Sequence, residues 1–265
     1  MSKPLFGASE LWPTFHAVND TLRGGSSSSS WLVDDRTNVA TFKGHLDITT
    51  LGGAGFASQS TLFPSRLSLS RSRTSGLLLT YVPPPPSSLT DATAGGPGPV
   101  TRFVLALKTS EPARRPDGRR ESVTVYEWAF DASDHLDGLL EGDVEGEKGE
   151  KGEKGEERSV TRLARWDEFK PMYRGRPADD AEPFDPARIY ELSFMARSHF
   201  GDQAGDFALD VVSLSAAAFG AAARTSTGRG WLGGLWDAVR AAWASWTATV
   251  RALWSGERGG ARRLP

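Results

Sequence analysis

The chain has no cysteine. A disulfide framework, a thiolate metal or iron–sulfur site and a thiol nucleophile are all excluded. Such a composition fits a reducing compartment without requiring one. Histidine is scarce: His16, His45, His135 and His199 are scattered along the chain. No HxxxH or HExxH spacing gathers them with acids into a metal set. No apolar run approaches the ~18 residues of a membrane-spanning helix. The first 22 residues carry Lys3 against Glu10 and Asp20. That stretch has neither the Arg-rich, acid-poor character of a mitochondrial presequence nor the apolar segment of a secretory signal. It reads as the start of a folded domain.

Catalytic signatures are also missing. There is no GxSxG elbow and no GxxxxGK[ST] phosphate loop. The nearest approach to a dinucleotide fingerprint is Gly53-Ala54-Gly55-Phe56-Ala57-Ser58. It places Ser where Gly or Ala is needed and runs on without helical period. Its glycines suit a tight turn or close backbone packing. No cofactor and no metal is expected.

What remains is a 265-residue chain, 38% apolar and 24% charged, with 29 Gly and 16 Pro. At ~150 residues per domain this is one large domain or two small ones. The net charge of −2 hides an asymmetry. Residues 141–157 hold eight acids and three Lys, whereas residues 221–265 hold seven Arg and two acids. Four segments read as insertions or linkers. They are the serine run Ser26–Ser30, the proline-rich Pro83–Pro99, the charged Glu111–Arg120, and Gly146–Glu157 with its GEK repeat. The stretches near 83–99 and 141–157 have the composition of solvated, disordered loops.

Between them the period is two. Ala40, Phe42, Leu46 and Ile48 alternate with Thr41, Lys43, His45 and Asp47. Phe103, Leu105 and Leu107 share one side of their run, and Ser122–Asp131 is rich in β-branched and aromatic residues. Tyr190, Leu192 and Phe194 alternate with Glu191, Ser193 and Met195. Phe207, Leu209 and Val211 alternate with Ala208, Asp210 and Val212. Short strands between Gly/Pro-rich loops predict an all-β sandwich.

The pattern changes near the end. Leu232, Trp236, Val239, Trp243, Trp246, Val250 and Leu253 repeat at spacings of four and three. That seam predicts an amphipathic helix over 231–254, after a linker at 217–230 and before a basic flexible tail at 255–265. Its Trp and Arg residues suit a membrane surface, a groove on a partner, or docking on the sandwich. Asp237, Arg240 and Arg251 argue against spanning. The Arg-Gly end (Arg258 to Arg263) is short, and nucleic acid is not an expected partner.

Three strings place polar groups beside small or aromatic ones. They are Asn19–Ser26, Trp166–Gly175, and Met195–Ser198 followed by Gly205-Asp206-Phe207. Asp20, Arg23, Trp166, Tyr173, Arg174, Arg197 and Asp206 are the candidate residues. They form either a buried polar network that fixes loops or the lining of a ligand or partner site. Trp12, Trp31 and Trp166 are the rings a carbohydrate-binding module would use.

Together these strings resemble the complex I intermediate-associated protein 30 family, its fungal members above all, over about Leu5–Ala216. The resemblance is carried by Asn19-Asp20-x-x-Arg23-Gly24-Gly25-Ser26, Leu51–Ser58, Trp128, Trp166-x-x-Phe169-x-Pro171-x-Tyr173-Arg174-Gly175, Met195-x-Arg197-Ser198-x-Phe200-Gly201 and Gly205-Asp206-Phe207. It implies a galactose-binding-like β-sandwich, or jelly roll. It also implies a non-enzymatic, chaperone-like assembly factor for mitochondrial respiratory complex I, whose partners are assembly intermediates or other assembly factors. A carbohydrate-binding module, or a cytosolic scaffold with a membrane- or partner-binding tail, is the alternative.

Overall fold

A computed structural model describes residues 2–84, 96–116, 121–133 and 159–219. The chain divides into two units, Met1–Thr225 and Ser226–Pro265. The second unit lies outside the described residues, and with it the expected helix from Leu232 to Leu253. Most of both expected disordered insertions lies outside them too. Among the described residues, no helix is long and apolar enough to cross a membrane.

The described part is all-β, built from two antiparallel sheets. One follows the order β3 (Ser28–Val33), β4 (Ala40–Leu46), β13 (Gly205–Ala218), β6 (Thr74–Val82), β9 (Val160–Arg165). Its sixth strand, β1 (Lys3–Gly7), also pairs with the long β13. The other follows β11 (Arg176–Pro177), β10 (Lys170–Tyr173), β8 (Val125–Asp131), β7 (Arg102–Lys108), β12 (Ile189–Arg197), β5 (Phe56–Leu67), β2 (His16–Ala17).

Alternation decides which side chains meet between the sheets. Phe42, Leu79, Tyr81, Phe207, Leu209 and Leu214 come from the six-stranded sheet, and Phe103, Leu105, Trp128, Phe130, Leu192 and Phe194 from the seven-stranded one. Rings touch across the gap: Phe42 lies 6.1 Å from Phe103 and 6.4 Å from Phe194, and Tyr81 lies 5.5 Å from Phe130. Edge and tilted contacts of this kind add to simple burial. Every alternating run read from the sequence supplies a core strand, although Tyr190 falls at a bulge and leaves the core cluster that Leu192 and Phe194 join.

The serine run is a correction. Ser28, Ser29 and Ser30 are not an insertion but the first half of β3, paired with His45, Gly44 and Lys43. Serine has little intrinsic strand preference, and tertiary hydrogen bonds override it. Ser27 donates its backbone N–H and hydroxyl to Asp20, and the Ser29 hydroxyl donates to Asn19 Oδ1 and to the Ser58 carbonyl.

Candidate binding site

Three of the sequence motifs converge on one corner of the sandwich. A short 3-10 turn, Asp20–Arg23, sets Asp20 beneath the starts of β3 and β5. Its buried carboxylate accepts from Ser27 N at 3.0 Å, Ser27 Oγ at 2.7 Å and Phe56 N at 3.1 Å. Three donors satisfy a charge that burial would otherwise penalise. The fit is tight: a Cβ on Gly25 would lie 2.3 Å from the Asp20 carboxyl carbon. Asn19 Oδ1 accepts from Ser58 N at 3.0 Å. The Ser198 hydroxyl donates to the Gly53 carbonyl at 2.8 Å and accepts from Gly55 N at 3.0 Å. Gly53–Ser58 is thus a clamped strand entry, as its glycines suggest, and Asp20 is the residue that fixes it. Arg23 lies over the Phe56 ring at 5.8 Å.

That corner borders the face of the seven-stranded sheet turned away from the core. Register assigns the residues of this face. One row runs Lys170, Glu127, Ala106, Ser193, Ser60, His16 across six strands. The next holds Lys108 and Glu191, and another Ala129, Val104, Met195 and Ser58. The middle of the face carries small side chains between long charged ones, a recess in the relief of the sheet that Arg197 reaches across to Glu127 and in which Val104 and Ala106 stay buried. Val104, Ala106, Met172 and Tyr190 are buried here although they stand apart from the core cluster. Glu191 and Glu127 are only 5% and 9% exposed.

Two ion pairs cross the recess, and they differ. Lys108 Nζ donates to Glu191 Oε1 at 2.7 Å, and the same oxygen accepts from Ser60 Oγ at 2.6 Å and Ser193 Oγ at 3.3 Å. This pair is fully dressed. Arg197 Nη1 lies 2.8 Å from Glu127 Oε2, but off the angle of a hydrogen bond. Glu127 Oε2 and Arg197 Nε are both buried with no hydrogen-bond partner among the described residues.

His199 feels the charge of Arg197. Burial, then the positive charges of Arg197 and Arg102, push its imidazole down to about 3, so it is neutral near pH 7. Its Nε2 is a third buried atom with no hydrogen-bond partner among the described residues. His199 and Phe200 both adopt left-handed backbone, with φ of 48° and 63°. Such angles cost non-glycine residues roughly 1 kcal/mol or more and persist only where surroundings impose them. Here Ser198 holds one side of the turn. Gln203 holds the other, accepting from Thr101 N and Arg102 N and donating to the carbonyls of Arg102 and Arg197. The turn leaves Phe200 69% exposed.

The seven candidates do not form one network. Arg197 lines the recess, and Asp20 and Arg23 belong to its corner. Trp166 is buried and donates through Nε1 to the Thr74 carbonyl at 2.9 Å. Tyr173 and Arg174 sit at the opposite edge, where Arg174 Nε donates to Ser122 Oγ at 3.1 Å and the guanidinium lies over its neighbour's ring. Asp206 is on the outer face of the other sheet, 2.7 Å from His45 Nδ1. The rings proposed for glycan stacking are engaged: Trp31 stacks on Phe15 at 4.0 Å, and Trp12 packs edge-on against Trp31. Glu127, Glu191, Lys108, Ser60, Ser193 and His199 are site residues the sequence did not single out. Their one signal was Glu191 and Ser193 alternating with core residues. No group of His and acids among the described residues could hold a metal ion.

The family Complex I intermediate-associated protein 30 matches residues 5–80 and 153–211. An uncharacterized protein of Schizosaccharomyces pombe is 30% identical over 217 residues, which are 80% of this chain and 82% of that protein. A family 11 carbohydrate-binding module from Clostridium thermocellum, solved with a mixed-linked tetrasaccharide, superposes with a TM-score of 0.43 at 11% identity, over 82% of this chain and 95% of the module. An arabinose-bound α-L-arabinofuranosidase gives 0.31 at 8% identity, over 77% of this chain and 23% of the enzyme. The matched segments contain the clamped corner, β5, β12 and the first half of β13, and the chain belongs to the Complex I intermediate-associated protein 30 family.

Proposed function

We propose that this protein is a non-enzymatic assembly factor of mitochondrial respiratory complex I, a galactose-binding-like jelly roll that holds assembly intermediates. Membership of the family carries this reading. The recess supports a binding role. It offers fixed, buried polar groups on a rigid sheet, and its functional-looking residues are charges and hydroxyls in mutual contact rather than a nucleophile poised on a base. The clamped corner and the turn at His199 give that surface one shape. The same reading places the protein in mitochondria. The alternative is a cytosolic scaffold that uses the same surface for another partner.

Native gel electrophoresis of mitochondria tests it, with the tagged full chain followed by antibody. Co-migration with a complex I subassembly, and accumulation of that subassembly when the gene is deleted, are the expected results. Normal assembly in the deletion strain, with the tagged protein outside mitochondria, would transfer the surface to the scaffold reading.

A further inference from the structure

Three motifs that carry the family resemblance, Asn19–Ser26, Leu51–Ser58 and Met195–Gly201, meet at the clamped corner, and side chains tie them together. Ser26 Oγ lies 3.2 Å from Thr50 Oγ1, at the foot of the second motif. Asp20 accepts from Phe56 N, and the Ser198 hydroxyl bonds to both Gly53 and Gly55. The third motif is also held from behind, where Gln203 Nε2 donates to the Arg197 carbonyl at 2.8 Å. Loops joined in this way keep one shape.

Phe200 is what this corner displays. His199, Phe200 and Gly201 adopt left-handed backbone in succession, with φ of 48°, 63° and 97°. Glycine alone does so freely. The Phe200 carbonyl lies against Gly53, 3.4 Å from where a Cβ would stand, and Cβ atoms at Gly52 and Gly201 would enter open space. The ring is left in water above these small residues. Exposed apolar side chains are ordinary in themselves, and Leu11 is more exposed still. Phe200 differs in being carried by strained backbone that Ser198 and Gln203 fix from both ends. Strain of that kind persists where the fold imposes it, and it gathers at sites of contact.

The partner's chemistry follows from the surroundings. A ring on a fixed backbone buries a large apolar area on contact and loses little conformational freedom, as interface anchors do. It needs an apolar pocket. A sugar would need free polar groups beside the ring, whereas Ser26, Thr50, Asp20 and Ser198 are engaged with one another or with backbone. An anionic lipid surface would need a cluster of bases. Among the described residues the corner offers Arg23, which lies over the Phe56 ring, and Arg102, which pairs with Asp202 at 3.3 Å.

We propose that Phe200 is the anchor of a protein–protein contact, its ring entering an apolar pocket of the partner while the tied loops around it form the rim. This rests on the assembly-factor reading and gives it a point of contact.

The test uses the purified full chain and detergent-solubilised mitochondria of the deletion strain. The chain is titrated in, and the concentration that shifts half of the complex I subassembly on a native gel is read for wild type, Phe200→Asn, Phe200→Tyr and Leu11→Ser. Asn tolerates left-handed backbone, so Phe200→Asn removes the ring and keeps the turn, with folding checked by thermal melting. Phe200→Asn is expected to need a concentration about tenfold higher or more, the scale of a lost interface anchor. Phe200→Tyr keeps the ring and should fall between Phe200→Asn and wild type. Leu11→Ser removes exposed apolar surface elsewhere and should match wild type. Equal concentrations for wild type and Phe200→Asn would overturn the anchor and leave the assembly-factor reading standing. No shift by the wild-type chain would overturn that reading and the proposal with it. Flotation with phosphatidylserine-containing vesicles, or binding on a glycan array, that is lost in Phe200→Asn would overturn the partner class.

Discussion

Both sheets bury one face in the shared core, and both carry polar residues on the other. The two outer faces are nevertheless different surfaces. On the six-stranded sheet, His45 meets Asp206 and Thr80 meets Thr161, in the open; the Asp206 side chain is 92% exposed. Water already solvates those groups, so their mutual contacts add little. On the seven-stranded sheet, the outer face holds Glu127 and Glu191 almost as deep as core residues. There each charge needs a protein partner or a ligand. The difference separates two kinds of surface: polar groups kept from water and fixed in place recognise a ligand better than polar groups already hydrated.

The largest expected effect comes from removing the centre of the recessed face. Glu191→Ala strips the acceptor from Lys108, Ser60 and Ser193 together. A loss of about 3 kcal/mol in urea unfolding is expected, the lower end for a broken buried pair because Lys108 reaches some solvent. Asp206→Ala on the open face should leave the urea midpoint where it is. Comparable losses from the two would erase the contrast between the faces.

Asp20→Asn comes next. It keeps one acceptor oxygen and puts an NH2 where Ser27 and Phe56 both donate. About 2 kcal/mol is expected from the lost charge-assisted bonds, read by urea unfolding, with faster amide exchange at Phe56 than at core positions such as Leu105. Uniform exchange changes would mean that the corner is not a local clamp.

A smaller effect separates stability from binding. Lys108→Met with Glu191→Leu replaces a dressed pair by apolar side chains and should change stability by no more than about 1 kcal/mol, although Glu191→Ala alone costs several times that. The double variant should melt near wild type.

The last effect is absent at neutral pH and develops only on acidification. His199 is held at about 3 in the folded chain, against the ordinary ~6.5 unfolded. Between these values the unfolded chain takes up a proton that the folded chain refuses. The contribution of His199 is therefore fully present above pH 6.5 and is lost as pH falls towards 3. His199→Asn, which tolerates the left-handed backbone, should flatten that part of the stability–pH curve. An unchanged slope would place the imidazole in solvent.

What the sequence revealed follows the same division. Alternation of Phe103, Leu105 and Leu107, and of Leu192 and Phe194, announced core strands because apolar periodicity is a local signal. β5 was not legible, since its inward positions include Gln59 and Thr61, whose burial depends on neighbours such as Ser29. The serine run hid β3 for the same reason. The motif residues were legible as a set, and Asp20 with Gly25 explains one of them in a single contact. The recess was not. Glu127 and Arg197 lie on separate strands, β8 and β12, which reach one face only through the register of β7 between them. A Glu alternating with core residues reads as a solvated side until the opposite strand shows a Lys aimed at it.

The most direct measurement is native gel electrophoresis of mitochondria that carry either Phe200→Asn or Asp206→Asn in place of the wild-type chain, with folding of both checked by thermal melting. If the corner at Phe200 holds the partner, Phe200→Asn leaves the complex I subassembly while Asp206→Asn stays with it. Retention of both variants at wild-type levels would contradict that claim.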